Sequence, residues 1–169
     1  METVVLGWPS DDPTLRLDHR QFSYAGKFVM SNTGKAVIRD SELATDGEFD
    51  DSVLAAVAFN ADRTDPETLW IRYVTVRLGR RGEGLGPRLC RFLADRAAER
   101  EHDRLRIAVN NPFAYEALYR AGFAYTGETT GIAELILERP ASHPATDRPR
   151  ERYQAGLDRY RARDLAESE

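Results

Sequence analysis

A glycine-rich turn at residues 81–86 joins an apolar stretch, residues 69–76, to a helix-like pattern that begins at Pro87. A strand that leads through such a turn into a helix leaves several backbone N–H groups without helical partners and pointing toward one place. The dipole of the helix adds partial positive charge there. The junction therefore predicts a binding site for an anion such as a pyrophosphate, formed by backbone rather than by dedicated side chains.

The residue types within the turn fit this role. Gly84 and Gly86 lack the Cβ atom that would hold a phosphate away from the backbone, and Gly82 and Gly84 tolerate positive φ angles. Pro87 suits the first helical position, where its missing N–H costs nothing. The spacing differs from the dinucleotide fingerprint G-x-G-x-x-G and lacks the Gly-Lys-Ser/Thr ending of the NTPase loop. The alternative is a glycine-rich loop that only turns the chain.

Bulk composition limits the classes of function. The 169 residues fit one domain, and 41% hydrophobic with 31% charged residues is typical of a soluble globular protein. No apolar stretch approaches the length of a membrane span, and the N-terminus has no basic segment leading into an apolar one. We therefore expect a cytoplasmic protein without a membrane partner. A net charge of −4 gives no reason to expect nucleic acid as a partner.

The positions of cysteine and histidine argue against disulfide and metal chemistry. Cys90 is the only cysteine, which excludes an internal disulfide. Its place in a helical pattern predicts a packed thiol rather than a nucleophile. His19, His102 and His143 are scattered without metal-ligand spacing, so we expect no metal site.

Hydrophobic periodicity predicts strands that alternate with helices along much of the chain. The strands at 53–60 and 69–77 are joined by a short polar turn, which favours an antiparallel pair. Residues 19–35 fit neither helix nor strand, and residues 40–51 are expected to form an acidic loop. Strand patterns are found at 3–6, 14–18, 35–39, 53–60, 69–77, 105–109, 123–125 and 132–138, and helical patterns at 87–100 and 113–121.

The C-terminal part of the chain differs from the rest in composition. Three prolines mark residues 140–149 as a linker between a main domain, residues 1–139, and the tail. Residues 150–169 are rich in charge and carry large apolar residues roughly one turn apart, which predicts an amphipathic helix. This helix is expected to pack either on the same subunit or on a partner, for which a homodimer is one candidate.

Two sequence motifs at a suitable separation resemble the GNAT (Gcn5-related N-acetyltransferase) superfamily. The first is R-x-x-G-x-G at residues 81–86, preceded by Val76, and the second is NPFAYEALYRAGF at residues 111–123. The likeness covers residues 53–138 and leaves the C-terminal helical extension outside. It implies an α/β fold with a mixed, mostly antiparallel central sheet and flanking helices. Two strands, ending near Val76 and Val109, would splay apart to bind acyl-CoA.

The resemblance also implies acetyl-CoA as the cosubstrate. Backbone groups of Val74 and Val76 would bind its pantetheine arm, and Asn111 would contact the thioester half. The pyrophosphate would be wrapped by the turn residues Arg81, Gly82, Gly84, Leu85 and Gly86.

A tyrosine commonly protonates the leaving thiolate in this superfamily, and here its position is displaced. Ungapped alignment of the second motif places Leu118 at the usual tyrosine position. One residue corresponds to a rotation of about 100° on a helix, so Tyr119 reaches the sulfur only if the helix begins or ends one residue differently. Tyr115 lies one turn before Leu118 on the same face. Tyr119, Tyr115 and a packing role for both tyrosines stay open.

The general base is equally open. An amine is mostly protonated near pH 7, so its attack on a thioester requires a base or a chain of water molecules. Some superfamily members place a glutamate in the strand before the glycine turn, but Trp70 stands at the corresponding position here. Tyr73, a water chain, and Glu67 or Asp65 just upstream are the candidates.

The resemblance implies that the protein is an N-acetyltransferase. It would transfer an acetyl group from acetyl-CoA to a primary amine, either a small molecule or a protein N-terminus, by direct attack in a ternary complex. The displaced tyrosine and the missing glutamate keep open a CoA-binding regulatory or sensor module without transferase activity. An acyltransferase that acts on aminoacyl-tRNA is disfavoured by the net acidity of the chain.

Overall fold

Seven strands and three α-helices build the described part of the chain. The computed structural model describes residues 1–40, 42–43 and 47–168, with side chains up to residue 163, so part of the predicted acidic loop lies outside the described residues. The strands are β1 (Glu2–Gly7), β2 (Gly34–Arg39), β3 (Val53–Ala61), β4 (Thr68–Val76), β5 (Arg104–Val109), β6 (Ala124–Thr129) and β7 (Leu135–Pro140). The helices are α1 (Leu85–Glu99), α2 (Pro112–Arg120) and α3 (Arg150–Ser168).

Most predicted elements are confirmed with shifts of a few residues. The helix after the glycine turn begins at Leu85, so Pro87 occupies its third position instead of the first. Proline is tolerated there because the third N–H of a helix also lacks an intrahelical partner. The strand predicted at 14–18 is wrong. Its alternation arises because this segment packs over the sheet, burying Leu15 and Leu17 while Thr14 and Arg16 are exposed.

The sheet has the strand order β1-β2-β3-β4-β5-β7-β6. Every described pairing is antiparallel except that of β4 with β5, which confirms the predicted mixed, mostly antiparallel architecture. The parallel pairing covers only residues 68–71 of β4 and 104–107 of β5. Just beyond it, β4 carries one extra residue, Arg72, against β3. Such a bulge bends a strand and increases its twist, and β4 and β5 part at this point.

Each face of the sheet has its own apolar core. On one face, α1 packs Leu89 and Leu93 against strand residues such as Leu105. On the other face, residues 15–28 cover β2 and β3, with Phe22 and Phe28 among the buried side chains. The second core is therefore centred on β1–β3, and the opposite half of the sheet carries charged side chains such as Arg104, Arg106 and Glu138 on this face.

A buried lysine fixes the segment that covers the second core. Lys35 is fully buried, and its Nζ donates hydrogen bonds to the carbonyl oxygens of Pro13 (2.6 Å), Met30 (2.8 Å) and Thr33 (3.2 Å). Burial lowers the pKa of Lys35. The three carbonyls compensate for the water that the ammonium loses, and they tie both ends of residues 13–33 to β2.

The C-terminal helix packs on its own chain. The hydroxyl of Tyr160 in α3 is buried and donates to the carbonyl oxygen of Val109 (2.9 Å). Tyr153 and Leu157 lie against the α1-side core. This contact decides between the two expectations for the helix in favour of the same subunit, while the division of the chain at residues 139 and 149 stays a prediction. Among the described helices, none combines the length and apolar character that a membrane span requires.

Candidate active-site cleft

The glycine turn has the backbone geometry that its sequence predicts. Gly82 and Gly84 have φ angles of +86° and +76°, a region that only glycine adopts without strain. Gly84 is the N-cap of α1, and within the described residues no side chain makes a capping hydrogen bond there. The first N–H groups of α1 are therefore available to a ligand at the positive end of the helix dipole.

A wide cavity of about 850 Å³ opens over this turn. Its wall is rich in arginine, and Glu83 is the acidic residue among the lining side chains. Arg80 forms an ion pair with Glu83 (2.9 Å), and Arg81 donates from Nη2 to the Ser23 hydroxyl (3.1 Å). The basic residues that line the cavity are Arg80, Arg81, Arg88, Arg91 and Arg120. This concentration of positive charge favours an anionic ligand with several phosphate groups.

A narrower cavity of about 330 Å³ continues from the wide one into the space between β4 and β5. Tyr24, Val74 and Asn111 line both cavities, so the two form one continuous cleft. The narrow part combines backbone and side chains of the parting strands with Leu118 of α2. A ligand held at the turn can therefore extend between the strands to the bulge in β4.

The structure brings together all eight residues for which the sequence predicts cofactor contacts. Val74, Val76, Arg81, Gly82, Gly84, Leu85, Gly86 and Asn111 line the cleft. A Cβ atom at Gly86 would lie 3.6 Å from side-chain atoms of Val74 and of Val76, an ordinary contact distance. Asn111 caps α2, because its Oδ1 accepts from the N–H of Ala114 (2.8 Å). The ligand contacts of these residues stay predictions.

The two tyrosines considered for catalysis lie away from the residues that line the cleft. Tyr115 is 1% exposed, and its hydroxyl donates to the carbonyl oxygen of Tyr153 (2.9 Å). Burial raises the pKa of Tyr115. The ring of Tyr119 contacts the ring of Tyr153 and the guanidinium of Arg148, which lies 3.7 Å from its centroid. Leu118 lines the narrow cavity beside Ala114 and Ala117, and it stands at the position where the ungapped alignment expects the tyrosine.

Two other tyrosines do line the cleft. Tyr24 is 53% exposed, has a φ of +61° and belongs to the walls of both cavities. Its ring centroid lies 5.6 Å from that of Tyr73, the extended residue that follows the bulge in β4. Sequence reasoning named Tyr73 only as a possible base. It missed Tyr24 because residues 19–35 show no clear periodicity.

Other features of the cleft also went unnoticed in the sequence. Arg88, Arg91 and Arg120 come from two helices. The net charge of the chain is negative and therefore gives no indication that these arginines lie close together.

Cys90 borders the narrow cavity but is fully buried, and burial raises the pKa of its thiol to about 12. The prediction of a packed thiol is confirmed. In the described part of the chain, no group of three or more His, Cys, Asp or Glu side chains is placed to hold a metal ion.

Comparison with protein families identifies the architecture. Residues 7–123 match the model of the acetyltransferase (GNAT) family, which is more than half of the chain. The chain belongs to the GNAT acetyltransferase family. A sequence comparison with curated proteins finds no match.

Solved structures of GNAT proteins share the fold. Nourseothricin acetyltransferase is 16% identical with a TM-score of 0.55, and the match covers 83% of this chain and 98% of that one. An N-acetyltransferase from Staphylococcus aureus Mu50 is 17% identical with a TM-score of 0.52, covering 64% and 68%. A Bacillus subtilis acetyltransferase in complex with CoA is 15% identical with a TM-score of 0.50, covering 63% and 75%. At these identities the likeness shows the fold alone.

Proposed function

We propose that this GNAT protein is an N-acetyltransferase that moves an acetyl group from acetyl-CoA to a primary amine within a ternary complex. The observation that carries the proposal is the continuous cleft. It joins a basic, glycine-rich helix start at one end to a narrow cavity between two parted strands at the other. An elongated thioester with phosphates at one end matches this distribution of charge and shape.

The cleft supports a definite orientation of acetyl-CoA. Its pyrophosphate would bind the N–H groups at the start of α1, with Arg81 and the neighbouring arginines adding charge-assisted hydrogen bonds. The pantetheine arm would follow the β4 edge along Val74 and Val76, since that edge has no β5 partner beyond Ile71 in the described residues. The thioester would then lie in the narrow cavity near the bulge.

The proposed reaction is a direct displacement. The amine nitrogen attacks the thioester carbonyl carbon, so a C–N bond forms and the C–S bond breaks. The amine loses one proton to a base or to water, and the departing thiolate takes up one proton. Tyr119 and Tyr115 stay predictions as the acid. Tyr24 and Tyr73 are the stronger candidates from geometry, because both hydroxyl-bearing side chains line the cleft.

The size of the narrow cavity favours a small acceptor over a protein N-terminus. A volume of about 330 Å³ lies at the lower end of the range for small-molecule sites. The homodimer and the cytoplasmic location expected from the sequence stay predictions.

A non-catalytic CoA-binding module is the second candidate. It is favoured by Leu118, an apolar residue at the cleft position where a tyrosine is expected. Such a protein would bind CoA with the same turn and strands but would lack a proton donor beside the sulfur.

A paired measurement of turnover and binding tests the proposal. Thiol release from acetyl-CoA is followed with a panel of amines and peptide N-termini, and CoA binding is measured by calorimetry. We expect CoA binding together with acetylation of at least one amine, confirmed by mass spectrometry of the product. Binding without turnover for every acceptor would favour the module, and absence of binding would contradict both candidates.

A further inference from the structure

A guanidinium is fixed at the end of the cleft that lies away from the glycine turn. Arg72, the extra residue of the β4 bulge, lines the narrow cavity. Its Nε donates to Oδ1 of Asn60 (2.7 Å), and its guanidinium lies 5.2 Å from the ring centroid of Trp70. Two independent contacts therefore orient the group and leave its terminal nitrogens for another partner.

The charge of Arg72 is incompletely neutralised by its surroundings. Within the described residues it forms no ion pair within 4.0 Å, unlike Arg104 and Arg106 on the neighbouring strand. The negative charge of Asp62 acts on Arg72, but its carboxylate already accepts hydrogen bonds from the indole N–H of Trp70 (2.7 Å) and from Thr64. Partial burial lowers the pKa of Arg72, but a guanidinium stays protonated at neutral pH. Arg72 is an exposed residue that lines the cavity, so its guanidinium is accessible to an anionic group of a ligand that enters there.

The cofactor does not account for this cation. Acetyl-CoA carries its negative charges on phosphates, which the proposed orientation places at the glycine turn. Arg72 lies four residues before Val76, about 13 Å along the strand at 3.3 Å per residue, and the turn follows further on. A positive charge at the thioester end therefore serves the acceptor rather than the cofactor.

An acidic residue, Glu134, lines the same cavity, and its Oε1 accepts a long hydrogen bond from the Thr130 hydroxyl (3.5 Å). Glu134 immediately precedes β7, where Leu135 pairs with Val109 of β5. Its backbone is held in place, because its N–H donates to the Thr130 hydroxyl (3.1 Å) and its carbonyl accepts from the N–H of Thr130 (2.9 Å). In the described residues Glu134 forms no ion pair with a basic side chain.

The two charged residues belong to segments on either side of β5, because Arg72 is part of β4 and Glu134 precedes β7. Ile107 and Val109 of β5 belong to the α1-side core, so Ala108 between them points to the other face of the sheet. Ala108 lines the cavity together with Arg72 and Glu134. Where the sheet is paired, β4 and β7 are two strand spacings apart, about 10 Å, and the separation is wider at Arg72 because β4 and β5 part beyond Ile71. The cavity of about 330 Å³ that both residues line has room for one small molecule.

We infer that the acceptor is a small amine that also carries a carboxylate, such as an amino acid. Arg72 binds its carboxylate, and Glu134 attracts its ammonium group to the thioester. The inference rests on the proposed acetyl transfer and adds to it the chemical class of the acceptor. It assigns Arg72 and Glu134 as residues that determine specificity, with the amine nitrogen as the atom that becomes acetylated.

Matched acceptors test this assignment. Steady-state kinetics are measured for a panel of amino acids, for their carboxamides and for the corresponding decarboxylated amines. We expect the best amino acid to exceed its carboxamide by about tenfold or more in kcat/KM, because one charged hydrogen-bonded pair is lost. Arg72→Gln should abolish this preference by raising KM for the acid, and Arg72→Lys should retain part of it because the charge remains but the planar fork is lost.

Two control variants separate a local effect from a general change of charge. Arg106→Gln removes the same charge on the next strand, where Arg106 is paired with Glu138 at 2.7 Å and does not line the cavity. Glu128→Gln is the exposed counterpart of Glu134→Gln. We expect both controls to leave the preference unchanged, whereas Glu134→Gln raises KM. Thermal unfolding confirms that every variant is folded.

The outcomes distinguish failure of the inference from failure of the proposed function. Equal use of acids and amides, preference for peptide N-termini, or an unchanged preference in Arg72→Gln and Arg72→Lys would overturn the inference while leaving acetyl transfer intact. If no amine is acetylated, calorimetry measures whether the amino acids bind to the CoA-loaded protein. Binding that Arg72→Gln removes would uphold the site and overturn the transferase, and absence of binding would overturn both.

Discussion

At the scale of single residues, the turn depends on the absence of side chains. Gly82 and Gly84 occupy positive φ, and Gly86 faces Val74 and Val76 at the start of α1. Gly82 and Gly84 were predictable because the backbone itself requires glycine at a positive φ. The proton donor was not predictable, because it depends on which side chains from distant segments reach the same cavity.

A charge placed at Gly86 tests whether the turn binds the anion of the cofactor. Gly86→Asp is sterically tolerated, since its Cβ would make ordinary contacts and the φ angle is not positive. Its carboxylate would lie beside the pyrophosphate, and like charges in contact cost several kcal/mol. We expect the calorimetric Kd for CoA to rise about 100-fold or more. Gly26→Asp, at an exposed glycine with open space around it, is the control. Unchanged affinity in Gly86→Asp would give the turn a different use.

Tyrosine-to-phenylalanine variants identify the group that protonates the thiolate. Because Tyr24 and Tyr73 line the cleft while Tyr115 and Tyr119 pack elsewhere, we expect a loss of kcat in Tyr24→Phe or Tyr73→Phe. The loss should be about 100-fold, which is typical for removal of a general acid, with little change in the Kd for CoA. Tyr119→Phe should retain most of its turnover. A loss of kcat confined to Tyr119→Phe would restore the role that the resemblance suggests.

At the scale of secondary-structure elements, periodicity predicted where strands and helices lie but not how the strands meet. Residues 53–60 and 69–77 were placed correctly as an antiparallel pair. The hydrophobic pattern does not predict the bulge at Arg72, because the bulge depends on the register between β3 and β4. Likewise, residues 14–18 alternate like a strand only because they lie across a buried surface.

The packing of α3 on α2 predicts that a glycine-to-alanine change within a helix lowers the stability of this protein instead of raising it. Gly156 lies within α3, where replacement by alanine ordinarily stabilises a helix by about 1 kcal/mol. Here a Cβ atom would overlap the hydroxyl and ring of Tyr115. We expect Gly156→Ala to lower the free energy of unfolding by about 1–3 kcal/mol, measured by denaturant titration. Addition of Tyr115→Phe should recover part of the loss. A gain in stability for Gly156→Ala alone would mean that α3 does not pack on α2 in solution.

At the scale of the whole molecule, two motifs and their order were enough to predict the family and the sheet. The composition of the cleft was not accessible in the same way. The net charge of the chain is −4, yet five arginines line one cavity. They lie close together because the fold brings distant parts of the sequence to the same place. The acceptor end depends on the same convergence, because Tyr24, Arg72 and Glu134 come from three separate segments.

The crystal structure of the complex with CoA tests the central claim most directly. We expect the pyrophosphate within hydrogen-bond distance of the N–H groups at residues 82–86. The pantetheine arm should run between β4 and β5 beside Val74 and Val76, with the sulfur near the bulge at Arg72. CoA bound at another surface, or β4 paired to β5 beyond Ile71 so that the cleft is closed, would contradict the account.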